Sequence, residues 1–249
     1  MARLGGIGAS GPRSLMPTAR WPKRLPTLTA EQERIRADFL RYWLQTIPGK
    51  YRRFEQFGHR FVASQAPAAA ARTLEIGAGL GSHLAYEDLT VQRYVVLEPR
   101  PDLARHIVQR YPRATGMIGD AQAHIPCPDG SFDRVIAIHV LEHLPNLPAA
   151  LDQIRRVLKP DGRLLTVVPC EGGWAYRLGR RLSAKRIFER RYGQPYDWFI
   201  RSEHVSGAAE ILELLPQYFR VRGRRFWPLR VASLHVNLVV GLSCSLPPP

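Results

Sequence analysis

Thr73-Leu74-Glu75-Ile76-Gly77-Ala78-Gly79-Leu80-Gly81-Ser82-His83 is the stretch whose reading decides the fold. It reads as a buried strand that runs into a glycine-rich turn and then opens a helix. Twenty-one residues beyond Gly77, at the end of a second apolar run from Tyr94 to Leu97, stands a single acid, Glu98. A strand, a tight glycine turn and a distant carboxylate are the parts needed to hold a nucleoside.

Each part has its own physical reason. Glycine lacks a Cβ, so it accepts backbone angles that other residues avoid and lets a ligand approach the main chain. A helix N-terminus offers free N–H groups. Glu98 would sit at the tip of the neighbouring parallel strand, where a carboxylate can accept from ribose hydroxyls. A dinucleotide turn has the spacing G-x-G-x-x-G, whereas Gly77, Gly79 and Gly81 give G-x-G-x-G, with Ser82 at the third-glycine position. Glu75, just before the turn, would repel a pyrophosphate and suit a ligand with a cationic end. The ligand implied is S-adenosylmethionine rather than NAD. An ordinary glycine-rich strand-to-helix turn remains the alternative at this point.

The segments that follow narrow the choice. Gly119-Asp120-Ala121 comes after a third short strand, Thr115 to Ile118, which places Asp120 to accept from an adenine amino group. Ser131 to Ile138 reads as a fourth strand and leads into His139-Val140-Leu141-Glu142-His143-Leu144. From Pro148 to Leu158, Ala150, Leu151, Ile154, Val157 and Leu158 recur at helical spacing, with proline at the helix start. Lys159-Pro160-Asp161-Gly162 ends that helix, and Arg163 to Val168 is a fifth strand. This series resembles the class I S-adenosylmethionine-dependent methyltransferases, specifically the methyltransferase type 11 domain family, over Thr73 to Pro169, roughly two-fifths of the chain. The resemblance implies an α/β, Rossmann-like, mostly parallel seven-stranded sheet closed by an antiparallel C-terminal hairpin. It implies S-adenosylmethionine as cofactor, with Gly77, Gly79 and Gly81 at the methionine end, Glu98 at the ribose, and Asp120 with Ala121 at the adenine. Glu75, Ala78, Pro99, His139 and Val140 complete the expected cofactor-contacting set.

The flanks divide into further parts. Residues 1–28 carry basic residues and no acid, and are expected to be a disordered arm; they lack the apolar centre of a secretory signal. Residues 29–66 are expected to form two lid helices broken at Pro48-Gly49, the second from Tyr51 to Ala63. Residues 67–249 are expected to be the methyltransferase domain, with a basic and aromatic insertion at 171–204. Ser206 to Leu215 reads as a helix, and Tyr218 to Phe226 and His235 to Cys244 read as strands. No apolar run reaches the roughly 18 residues that span a bilayer, and three scattered cysteines fit a reducing compartment. A cytoplasmic protein is expected.

Net charge is +15, unevenly spread. Residues 1–60 hold twelve Lys/Arg and four acids; 61–171 hold eleven and twelve; 172–249 hold thirteen and five. The cofactor core is near neutral and both flanks are basic. Such flanks suit anionic lipid headgroups, a phosphate-bearing substrate or nucleic acid, or are a solvated basic face. Methyltransferases acting on the amino groups of bases carry an [Asp/Asn/Ser]-Pro-Pro-[Tyr/Phe] box after the fourth strand, and this chain has His139-Val140-Leu141-Glu142 there. The resemblance of Leu141-Glu142-His143-Leu144 is to enzymes acting on small molecules, quinone precursors, lipids and sugars. A small-molecule, lipid-like or glycan acceptor, methylated on oxygen or carbon, is the leading expectation, with peripheral contact at an anionic membrane. An RNA methyltransferase and a non-catalytic S-adenosylmethionine-binding protein are the alternatives. A hydroxyl acceptor must lose its proton, and histidine serves that purpose near neutral pH. His143 and His204 are the candidate catalytic residues. His139, Glu142 and His143 resemble the acids and histidine of some quinone-pathway O-methyltransferases, but a histidine replaces the first expected acid, and no metal is expected.

Overall fold

The computed structural model describes residues 21–248. Its centre is a seven-stranded sheet in the order β3-β2-β1-β4-β5-β7-β6. The strands are β1 (Arg72–Ile76), β2 (Arg93–Glu98), β3 (Ala114–Ile118), β4 (Phe132–Ile138), β5 (Leu158–Pro169), β6 (Arg220–Trp227) and β7 (Val239–Ser245). β1 to β5 pair in parallel, and β7 runs antiparallel between β5 and β6. This is the mixed sheet expected from the sequence. Strand order reverses between β1 and β4, which opens a crevice beyond their carboxyl ends, where open α/β sheets bind ligands.

Helices cover both faces, so the inner strands are near-continuous apolar runs rather than alternating ones. On one face, α4 (Leu147–Val157) buries Ala150, Leu151, Ile154 and Val157, and α8 (Ala208–Tyr218) adds Ile211 and Leu215. On the other, α2 (Arg52–Ala63) brings Phe61 and Val62 against Val96, Ile136, Leu165 and Val167, beside Ile107 of α3 (Pro101–Arg110). A separate aromatic cluster joins Phe39 of α1 (Ala30–Lys50) to the insertion. Phe188 of α6 (Arg186–Tyr192) and Phe199 of α7 (Tyr196–Glu203) each meet Phe39 edge-on at 5.0 Å between ring centroids. α5 (Trp174–Arg180) continues into α6 through a π-helical turn, Arg181–Lys185.

Several expectations are corrected. The glycine turn opens no α-helix: a single 3₁₀ turn, His83–Tyr86, follows it. The connection to β2 is too short for more, because Asp88 accepts from the N–H (2.8 Å) and hydroxyl (2.6 Å) of Thr90 and turns the chain into β2. The helix break falls after Lys50 rather than at Pro48-Gly49. Lys159 to Gly162 belongs to β5 as an irregularity opposite Phe132 to Arg134. α8 runs through Pro216 to Tyr218. β7 begins at Val239, because Asn237 Nδ2 donates to Val231 and Ser233 carbonyls, both at 2.8 Å, and closes the preceding loop. The arm expected to be disordered through residue 28 is anchored from Trp21. That ring packs on the core, and Lys23 donates to the Val205 carbonyl (2.8 Å) and pairs with Glu210. The remainder of the expected arm, residues 1–20, lies outside the described residues.

Two physical tests follow from this packing. A Cβ on Gly241 of β7 would stand 2.5 Å from the Phe61 ring, at the seat of α2 on the sheet. Gly241→Ala is expected to lower stability by about 1–3 kcal/mol through overpacking, read from denaturant unfolding. Beside that seat, His59 stacks on His83 (5.4 Å) and Tyr86 (4.9 Å), and burial, with His83 and His139 near, pushes its imidazole down to about 3. Burial would raise the Glu87 carboxyl, but His83 and Arg134 beside it hold it at about 2. An unfolded His59 protonates near 6.5, so between that pH and about 3 the unfolded chain binds the extra proton. Thermal stability is therefore expected to fall as pH drops below 6.5, with the Glu87 contribution lost below about 4.5. His59→Phe, which keeps the stack, should flatten the first part of that fall in calorimetric scans.

Candidate active site

The turn after β1 is held from two sides. Gly77, Gly79 and Gly81 all take left-handed backbone angles, at φ +64°, +57° and +72°, which glycine adopts without penalty. The Gly77 N–H donates to the Leu97 carbonyl (2.8 Å), and the Gly79 N–H donates to Glu98 Oε2 (3.0 Å). Glu98 is 1% exposed, and its other oxygen accepts from the Arg100 N–H (3.2 Å) and Nε (3.1 Å). A Cβ on Gly77 would lie 2.8 Å from Val140 Cγ2, so the tips of β1 and the β4 loop are in close contact. A Cβ on Gly79 would meet nothing within 4 Å, because that backbone faces open space.

The open space is a cavity of about 820 Å³ beyond the carboxyl ends of β1, β2 and β4. Glu75, Gly77, Ala78, Gly79, Glu98, Pro99, Asp120, Ala121, His139 and Val140 line it, and so do His143 and His204. Gly81 is the exception. It lies outside the lining, and its would-be Cβ faces Ile107 Cγ1 at 3.2 Å, so its part is to let the turn pack on α3. Asp120 Oδ1 accepts from the Gln122 N–H at 2.9 Å, and Gln122 in turn accepts from the Asn146 N–H at 2.7 Å. Glu75 is 3% exposed; burial pushes its carboxyl up, and Tyr94 donates to it at 2.9 Å. A cationic group in the cavity would favour its ionised form.

The far end of the cavity gathers histidines and acids. His139 follows β4 directly at φ +54°, a rare angle for a residue with a side chain. Its ring stacks on Phe54 of α2 at 5.4 Å, and its Nδ1 stands 3.4 Å from Glu142 Oε1. His143 Nδ1 lies 2.7 Å from the Glu203 carbonyl oxygen. A carbonyl only accepts, so Nδ1 carries the proton and Nε2 is left as the basic nitrogen. Burial, with His204 near, lowers the affinity of His143 for a second proton. His204 packs edge-on against it, centroids 4.8 Å apart, with Nδ1 at 2.5 Å from Glu171 Oε2. Burial disfavours the charged form of His204, but the bond and charge of Glu171 outweigh it and the pKa is raised. The two imidazoles are thus pushed in opposite directions.

Among the described residues, Glu142, His143 and His204 each place a ligand-type atom within 4.8 Å of the others. Ligands of one ion at ~2.0–2.2 Å bonds sit within about 4.4 Å of each other, a spacing close to that of this set. His139, grouped with Glu142 and His143 in the sequence, is outside it. The sequence reading missed the residues that fix the histidines: Glu171 just past β5, Glu203 at the end of α7, and Arg36 of α1, whose Nε meets Glu203 Oε1 at 2.5 Å. Glu203 was signalled only by adjoining His204. Phe54 lies on the expected second lid helix, but nothing in the sequence paired it with His139.

A seven-stranded mixed sheet with a glycine turn, a clasped acid on the next strand and an acid after the third defines a nucleoside-binding site of the class I methyltransferase type. The residues fit S-adenosylmethionine, since the Gly79 backbone is open to the cavity and two buried carboxylates, Glu75 and Glu98, face the same space. Residues 74–166 match the methyltransferase domain family. A probable S-adenosylmethionine-dependent methyltransferase of Mycobacterium tuberculosis is 28% identical over 144 residues, 57% of this chain and 48% of that protein. A probable phthiotriol/phenolphthiotriol dimycocerosates methyltransferase of Mycobacterium ulcerans is 32% identical over 108 residues, 42% of this chain and 41% of that protein. The chain spans about half the length of the curated relatives it matches. The crystal structure of a Pyrococcus horikoshii protein shares the fold, with TM-score 0.62 and 15% identity over 83% of this chain and 99% of that one. The chain therefore carries a class I S-adenosylmethionine-dependent methyltransferase domain, and S-adenosylmethionine is the cofactor of that domain.

The two outer glycines separate cofactor contact from scaffolding. Gly77→Ala, strained at φ +64° and driven into Val140, is expected to weaken S-adenosylhomocysteine binding about tenfold or more by calorimetry. Gly81→Ala should lower the melting temperature and leave the affinity of the folded protein within about threefold of the parent, because it faces α3.

Proposed function

We propose that this protein transfers a methyl group from S-adenosylmethionine to an oxygen or carbon nucleophile on a small-molecule, lipid-like or glycan acceptor. The observation that carries the reading is that one cavity joins the glycine turn, Glu98 and Asp120 to the His143–His204 pair. The cofactor, when bound, supplies an electrophilic methyl on a sulfonium, a leaving group that needs no help from the protein. The chain's own work is to seat the nucleoside, exclude water and aim the acceptor along the line of displacement. Gly77 to Gly79 and Glu98 serve the first task. The apolar wall from α1 and α2, with Phe39, Trp43 and Phe54, serves the second.

For a hydroxyl acceptor, His143 Nε2 takes the proton as the new O–C bond forms. Its Nδ1–H is spent on the Glu203 carbonyl, and burial keeps the ring neutral and ready to accept. His204, held by Glu171, stands beside it with its affinity for a proton raised. The cavity wall favours an acceptor with apolar surface, because aromatic and aliphatic side chains from α1 and α7 border it, with Tyr176 of α5 beside them. The Mycobacterium ulcerans relative, named for a lipid-like acceptor, points the same way.

His143→Ala is expected to reduce turnover about 10²-fold or more while S-adenosylhomocysteine binding, read by calorimetry, stays within about threefold of the parent. Unchanged turnover would remove His143 from the reaction. The acceptor class is read by supplying S-adenosylmethionine with a labelled methyl to fractionated cell extract. Label in lipid, glycan or small-molecule fractions is expected; label in RNA would overturn the acceptor class, and failure of the folded protein to bind either form of the cofactor would overturn the reading entirely.

A further inference from the structure

The segment Trp174–Tyr192 forms one nearly continuous helical run, α5 and α6 joined by the π turn. Its two faces differ sharply. The inner face gives Tyr176, Gly179, Arg180 and Ser183 to the cavity wall. The outer face carries Trp174, Leu178 and Leu182, spaced by four and therefore aligned along one side of the helix. They are 58%, 50% and 65% exposed, which is unusual for three large apolar side chains in a row.

The charges on that face are all of one sign. Arg177, Arg181 and Arg186 are exposed between and beyond the apolar residues. None of the three makes an ion pair among the described residues. The acids near this helix are already engaged: Glu171 with Arg180 and His204, and Glu189 with Lys185. The loop before β7 abuts the helix start, where the Ala175 N–H donates to the His235 carbonyl at 2.9 Å. That loop exposes Leu229 (51%) and Val231 (59%) on either side of Arg230.

We propose that the outer face of Trp174–Arg186 is a docking surface for an anionic lipid bilayer. A helix with aligned tryptophan and leucines, flanked by unpaired arginines, lies in the headgroup plane with its apolar side chains at the acyl boundary. Arginine stems add apolar contact while their guanidiniums reach lipid phosphates. The absence of any free acid on this face among the described residues favours an anionic surface over a protein partner of mixed charge. Docking here would rest the back of the cavity wall on the lipid, which suits a lipid-borne acceptor. This deepens the lipid-like branch of the proposed function and rests on it only for the delivery of acceptor; the docking itself is read without turnover.

The test uses the full chain with vesicles of phosphatidylcholine containing about 30% phosphatidylglycerol, and with vesicles of phosphatidylcholine alone. Co-sedimentation is expected with the anionic vesicles and about tenfold weaker, or less, with the neutral ones. Arg177→Glu/Arg181→Glu and, separately, Leu178→Ser/Leu182→Ser should each weaken binding about tenfold. Both pairs point away from the cavity, so cofactor affinity and melting temperature are expected to stay at the parent's values and report an intact fold. Brominated phospholipid should quench tryptophan fluorescence in the parent, and Trp174→Phe should remove most of that quenching. No binding to anionic vesicles, equal binding to both vesicle types, or unchanged binding by both double variants would overturn the docking surface. A protein that docks as expected yet labels no lipid would overturn only the acceptor reading.

Discussion

The hydrogen bond from the Gly79 N–H to Glu98 Oε2 holds the two halves of the nucleoside seat together. β1 and β2 are parallel neighbours, so their carboxyl ends reach the same edge of the sheet. A buried carboxylate at that edge is costly unless donors satisfy it. Glu98 meets that need with one backbone N–H from the turn and two donors from Arg100. The same bonds that stabilise the acid fix the left-handed turn in place. The turn is therefore preorganised without the α-helix that the glycine pattern implied. A single 3₁₀ turn is enough because the anchoring comes from the neighbouring strand.

How much of this was legible in the sequence depended on the range of the interaction. The β1 turn, the acid at the tip of β2, the Gly-Asp-Ala after β3 and the α4 periodicity are local patterns; the structure brings the first three to one cavity and sets α4 against the sheet core. Glu171 and Glu203 were not legible as supports, because each acts on a histidine from a different segment: His204 lies 33 residues from Glu171, and His143 lies 60 from Glu203. Nor was the fate of Gly81, which resembles its two neighbours in sequence but faces α3 rather than the ligand space. The anchoring of Trp21 and Lys23 was hidden by the basic composition around them. Composition described the segment's solubility; one indole and one ammonium decide where its described end sits.

The basic character of the chain also divides on inspection. β6 is an edge strand, and Arg220, Arg222, Arg224 and Arg225 along it are exposed. Charged side chains on an edge strand deter pairing with another sheet. Those arginines have a structural reason to be there. Arg36 and Arg180 have another, since they neutralise Glu203 and Glu171 behind the histidines. Other exposed arginines without an ion pair are scattered over the fold, but on the outer face of α5 and its π turn Arg177, Arg181 and Arg186 adjoin the exposed Trp174, Leu178 and Leu182.

The π turn itself explains how one helix serves three environments. A wider turn shifts the angular register of everything beyond it. Before it, Tyr176 and Arg180 face the cavity. After it, Phe188 faces the aromatic cluster of α1 and α7 and is fully buried. Ser183 donates to the Gly179 carbonyl at 2.7 Å within the turn, which satisfies a carbonyl at the point where the bonding pattern changes. A regular helix over the same length would have to continue the cavity face into the aromatic cluster or surrender one of them. The shift lets the inner side pass from ligand wall to core while Trp174, Leu178 and Leu182 stay in line on the outside. The exposed stripe is thus not a by-product of packing failure, because the same residues could have been polar without cost to either inner contact.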